Sequence, residues 1–148
     1  MINYCDVDEQ WSYLSLRRHF ISIVFFLNVY ASLVAKPETP LVVDDEIILE
    51  ENDTYTLECT AMAGIPVADL RWYYKVPGSD NFVRIDMESK QEIVKLDECR
   101  QKAIQSIDVV ISKATDGIIY RCKVESDLLD EQEKHSFHDD VLLKLPSK

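Results

Sequence analysis

Two cysteines set in alternating stretches constrain this chain more than any other feature. From Thr54 to Ala61, the residues Tyr55, Leu57, Cys59 and Ala61 alternate with Thr54, Thr56, Glu58 and Thr60. A period of two marks a strand with one buried face and one wet face. Ile118, Tyr120, Cys122 and Val124 repeat the pattern much later in the chain. Two further inward sets are Leu70, Trp72 and Tyr74, then Ile107, Val109 and Ile111. Weaker strand candidates are Leu41 to Val43, Ile47 to Leu49, Phe82 to Ile85, Ile93 to Leu96 and Val141 to Leu145. Turn signals separate them at Gly64-Ile-Pro66, Pro77-Gly-Ser-Asp-Asn81 and Asp116-Gly117. The charged stretch Lys90 to Lys102 fits an edge strand and loop better than a short helix. Short strands with turns about every 8 to 12 residues, and no long helix, predict an all-β antiparallel sandwich.

The bulk numbers agree with one globular domain. The chain has 148 residues, 47% hydrophobic and 29% charged. Three glycines leave little room for a glycine-rich phosphate loop. A formal net charge of −11 argues against nucleic acid, which requires a concentrated basic footprint. The four cysteines, Cys5, Cys59, Cys99 and Cys122, form no CxxC pair and no cysteine-histidine group at zinc spacing. The wide separation of Cys59 and Cys122 suits a long-loop disulfide better than a metal knuckle. Such a bond requires an oxidising compartment.

The N-terminus carries the matching export signal. Arg17, Arg18 and His19 precede an apolar run from Phe20 to Val34, and small residues Ala31, Ser32 and Ala35 close it. That order is the layout of a secretory signal. The run is shorter than the roughly 20 residues of a membrane-spanning helix. A cut after Ala31 or after Ala35 fits, and the second is preferred because Lys36-Pro-Glu-Thr-Pro40 reads as an extended mature terminus. The expected division is a signal at 1–35 and one domain at 36–148, with its core at about 41–145. An uncleaved segment holding the domain on a membrane is the alternative. No second apolar span follows, so a cleaved product would be secreted.

One constellation goes further. Trp72 follows Cys59 by 13 residues, Tyr120 precedes Cys122 by two, and Asp116 precedes Tyr120 by four. These residues resemble the immunoglobulin superfamily. Cys59-Thr-Ala-Met-Ala-Gly-Ile-Pro66, followed by Leu70-Arg-Trp-Tyr73, looks most like its I-set branch, found in adhesion molecules and growth-factor receptor ectodomains. The resemblance covers about residues 41 to 145. It implies a Greek-key sandwich with Cys59 on strand B, Trp72 on C and Cys122 on F, joined by a Cys59–Cys122 disulfide. It also implies a corner at Asp116 to Tyr120, anchored through the tyrosine hydroxyl. Ile118 stands where the family usually has Gly or Ala. Ser112 stands at an often apolar site, leaving Ile111 or Ala114 to fill the core there.

Function should then lie on outward residues. Arg71, Tyr73 and Lys75 on strand C and Ile119, Arg121 and Lys123 on strand F would form one basic face with aromatic and aliphatic members. Tyrosine and arginine are frequent interface anchors, so this face is expected to dock an acidic protein partner. Thr56, Glu58, Thr60 and Asp108 would occupy the opposite sheet. Homophilic adhesion, with a dimer formed through Cys99 or this face, is a second reading. Asn52-Asp-Thr54 is a glycosylation sequon. His135, His138, Asp139 and Asp140 read as a solvated acidic hairpin, because their spacing defines no ligand geometry. No nucleophile motif is present, and neither enzyme activity, metal nor cofactor is expected.

Overall fold

The computed structural model describes residues 34–86, 91–97 and 100–147. Residues 1–33 of the expected export segment, Cys5 and Cys99 lie outside the described residues. Two sheets form the molecule. One runs β1 (Leu41–Val42), β3 (Thr54–Met62), β7 (Gln101–Val110) and β6 (Glu92–Lys95). The other runs β2 (Glu46–Ile48), β9 (His138–Lys144), β8 (Ile119–Glu125), β4 (Asp69–Lys75) and β5 (Val83–Arg84). The pairings are antiparallel except β2 with β9, which is parallel. That exception arises because the first strand divides. β1 pairs with β3, and after Val43–Asp45 the chain crosses to join β9 in the other sheet. Asp139 stitches the crossing: its carboxylate accepts the Val42 N–H at 2.7 Å.

The inward parities come out as the alternation predicts. Leu57, Cys59, Ala61, Leu70, Trp72, Ile107, Val109, Ile118, Tyr120, Cys122 and Val124 are all buried. Ile111 is fully buried while Ala114 is exposed, so Ile111 fills the place that Ser112 leaves. Cys59 and Cys122 are bonded across the sheets, with Cα atoms 6.3 Å apart. Trp72 lies beside them at 2% exposure, and its indole N–H donates to the Gln105 carbonyl at 3.4 Å. Lys90 to Lys102 supplies edge strand β6 and the start of β7, as read from sequence.

Two local expectations are corrected. The corner from Asp116 to Tyr120 shows no hydrogen bond from the tyrosine hydroxyl among the described residues; Asp116, expected with the core, is exposed, and its carboxylate accepts the Leu145 N–H at 2.8 Å and so anchors the turn to the end of β9. Gly117 N–H donates to Leu143 at 2.8 Å, reinforcing the same attachment. The segment between β8 and β9 is not a plain hairpin. It contains α1 (Glu131–Ser136), begun by a capping box in which Asp130 and Glu133 satisfy each other's backbone N–H groups. Leu129, 3% exposed, plugs that loop into the core. Among the described residues no helix is long and apolar enough to cross a membrane.

The disulfide closes a loop with a sequence separation of 63. In the chain-entropy view such a closure is worth about 4 kcal/mol. The double variant Cys59→Ala/Cys122→Ala is therefore expected to lose about that much stability, read from the urea midpoint of the purified domain. A loss below about 1 kcal/mol would show that the sheets do not depend on the bond.

Candidate functional site

The register of β4, β8 and β9 places outward residues in rows. Arg71 stands opposite Lys123, and Lys123 opposite His138. Tyr73 stands opposite Arg121, and Arg121 opposite Asp140. Lys75 stands opposite Ile119, and Ile119 opposite Leu142. All six residues expected on this face are thus brought together on it. β5 extends the middle row, with Arg84 beside Tyr73. Thr56, Glu58, Thr60 and Asp108 lie on the other sheet, where the Thr56 hydroxyl donates to Asp108.

Arg121 is the centre. Its Nε and Nη2 donate to the two oxygens of Asp140 at 2.7 and 2.8 Å. Its guanidinium carbon lies 3.8 Å from the Phe82 ring centroid. A bidentate fork on one side and an aromatic face on the other hold the group flat. The same ring lies 5.0 Å from the Lys75 ammonium. Arg71 donates to Asp69 at 3.0 Å, and the Tyr73 hydroxyl donates to Glu125. The face is therefore not uniformly basic: Asp140, Asp69 and Glu125 neutralise part of it. Lys123 and Lys75 have no ion-pair partner among the described residues. Beyond Lys123 a shallow cleft is lined by Pro66, Val67, Leu128 and Lys134.

Sequence reasoning missed Phe82, Arg84, Asp140 and Leu142. The last two had a signal: they alternate with the buried Val141 and Leu143. The polar run His138-Asp-Asp140 concealed it, because it reads as a loop until β8 offers it pairing partners. The histidines and aspartates grouped in the sequence are dispersed: His135 is on α1, Asp139 faces Val42, and Asp140 faces Arg121. Asn52 is exposed in the turn before β3, with a left-handed φ of 76°.

This architecture, two sheets clamped by one disulfide with a tryptophan against it, is the immunoglobulin fold. Solved structures agree. The D1–D2 fragment of Rst matches 76% of this chain at a TM-score of 0.58 and 18% identity, over 51% of its own length. The full ectodomain (Ig1–Ig3) of mouse nectin-like molecule 4 matches 76% at a TM-score of 0.56 and 18% identity, over 35% of its length. The chain thus spans about half or less of those structures. No protein-family model matches the sequence, and no curated protein is significantly similar to it.

Tyr73 gives the site a spectroscopic handle. Burial, then the hydrogen bond to Glu125 and that carboxylate's charge, push its phenol up to about 12, against smaller opposing effects of Arg84 and Arg71. The folded state thus keeps a proton that the unfolded chain releases at a lower pH. This contribution to stability is complete below pH 10 and declines as pH rises toward 12. Glu125→Gln is expected to lower the Tyr73 transition in an absorbance titration at 295 nm, with Tyr73→Phe identifying the signal. An unmoved transition would remove the Glu125 contribution.

Proposed function

We propose that this chain is an extracellular protein-binding module that docks an acidic partner on the β9–β8–β4 face. The observation that carries the reading is the cross-strand pair Arg71–Lys123. Like charges directly opposite on neighbouring strands destabilise a sheet, and among the described residues no carboxylate pairs with Lys123. A partner carboxylate placed over Lys123 relieves that repulsion. Next to it, Tyr73, Arg121 and Phe82 form a rigid surface that loses little freedom on binding. The similar structures, Rst D1–D2 and the nectin-like ectodomain, support an ectodomain role.

Export through the N-terminal segment and a glycan on Asn52 belong to the same proposal. Asn52 precedes β3 in the other sheet, so a glycan there leaves the docking face open. Homophilic adhesion uses the same face and is one outcome of the test below. Neither reading involves catalysis.

The test is a binding screen of the secreted chain against purified ectodomains, itself included. Tyr73→Ala/Lys123→Glu is expected to weaken any partner found by at least about a hundredfold, as central anchors do. Glu58→Lys on the opposite sheet is expected to leave that affinity within about threefold. Circular dichroism confirms that both variants are folded. Equal binding by the folded double variant sinks the proposal.

A further inference from the structure

The sheet behind the docking face changes character along its length. Its outward side chains fall in rows set by the registers of β1, β3, β7 and β6. Towards one end the rows are polar, with Thr56 opposite Asp108 and hydrogen-bonded to it. Towards the other end one row runs Leu41, Thr60, Ile104 and Glu92. Leu41 is 64% exposed, and Thr60 and Ile104 are half-buried, all three turned away from the core that Cys59, Ala61 and Ala103 face. On one side of this row Met62 stands opposite Lys102; on the other Glu58 stands opposite Ser106. Lys102 and Glu58 are opposite charges, and neither is in an ion pair among the described residues. They are too far apart to satisfy each other within one copy, since Lys102 and Ser106 are four residues apart on β7, about 13 Å.

We propose that a second copy of this chain docks on this end of the sheet, back to back about a two-fold axis. A surface that closes on itself must be self-complementary. An axis laid in the interface along the Leu41–Ile104 row exchanges the two flanking rows. Lys102 of each copy then lies over the Glu58–Ser106 row of the other. A lysine side chain is long enough to cross the one strand spacing, about 4.8 Å, that separates Ser106 from Glu58. Leu41 and Ile104 lie on the axis and cover their own counterparts, which removes apolar surface from water. Symmetry thus answers both unpaired charges at once. Glu92 ends the row at the rim, where solvent screens its meeting with its counterpart. Asn52 lies beyond the far end of β3, roughly 25 Å away or more, so a glycan there leaves this end open. The overlap covers only part of one sheet, which makes the dimer a small and weak one. It leaves both β9–β8–β4 faces outward, so on the docking reading one dimer holds two partners.

The experiment is sedimentation velocity of the purified chain at physiological ionic strength. Cys5→Ser and Cys99→Ser are present throughout, so that no covalent link contributes. A dimer half-formed at roughly 10 to 100 µM is expected, as for a small transient contact. Lys102→Glu alone and Glu58→Lys alone are each expected to weaken it at least about tenfold, because each sets like charges against each other twice. Lys102→Glu/Glu58→Lys in one chain is expected to restore it to within about threefold, and so is an equimolar mixture of the two single variants. Circular dichroism confirms folding. Thr60→Lys, which sets a cation on the axis against its own counterpart, weakens the dimer comparably and replaces any reversal that fails to fold. A partner held on the β9–β8–β4 face is indifferent to Glu58, so the two surfaces are told apart. A chain that stays monomeric up to about 1 mM overturns the proposal. So does a dimer that ignores both reversals, or one that the charge swap does not restore. A dimer lost in Tyr73→Ala/Lys123→Glu puts the second copy on the docking face and overturns it as well.

Discussion

The bond between Cys59 and Cys122 is the constraint on which the other features depend. It joins the centre of β3 to the centre of β8, one strand from each sheet. Strands alternate with a strict period of two, so fixing one side chain inward fixes the orientation of every neighbour. Cys122 inward sends Arg121 and Lys123 outward. Trp72, paired opposite Cys122 on β4, is inward as well, which sends Arg71 and Tyr73 outward. The core clamp and the proposed docking face are therefore two readings of one parity. A one-residue slip of β8 would bury two cations and expose the disulfide.

That coupling explains why the face can carry an unfavourable charge pattern. Arg71 opposite Lys123 repels at the surface, where each such pair costs only a fraction of a kcal/mol to about 1 kcal/mol. The buried side of the same strands includes Leu70, Trp72, Cys122 and Val124, all at 2% exposure or less. Burial of such side chains is worth about 1.5 to 3 kcal/mol apiece. The core overrules the surface, so outward positions are free to be chosen for a partner. Where the surface does spend order, it does so on Arg121, held between Asp140 and Phe82.

The sequence disclosed what parity controls and concealed what pairing controls. Alternation and the Cys59, Trp72, Tyr120, Cys122 constellation placed both sheets' inward sets and all six outward residues. Which strands lie beside β8 on its far side was not legible, because Asp140 and Leu142 reach the face only through the β8–β9 register. Phe82 arrives from a turn, where no period applies. The corner at Asp116 was marked, but its anchor was expected at the Tyr120 hydroxyl; the Asp116 carboxylate holds it instead by accepting the Leu145 N–H, and backbone partners leave no mark in a sequence. The helix after Asp130 had a legible cap, Asp130 with Glu133, yet six residues are too few for a helical period to stand out.

The proposed docking on a face rather than an edge fits how the sheets end. The outermost strands are β1, β6, β2 and β5, of 2, 4, 3 and 2 residues. Strands this short offer few free backbone groups to an incoming strand, which is the usual protection against edge-to-edge pairing. Glu46, Arg84, Glu92 and Lys95 place charges on three of the four. The long strands, β3 and β7 at 9 and 10 residues and β4, β8 and β9 at 7 each, are all interior. Where these strands pair with one another their backbone groups are spent on the ladders, so on that face recognition falls to side chains. One set of such side chains, with Lys75 and Lys123 outside any ion pair among the described residues and a rigid aromatic beside them, lies over β9, β8 and β4. A partner that recognised Tyr73, Arg121 and Lys123 would find them already in place.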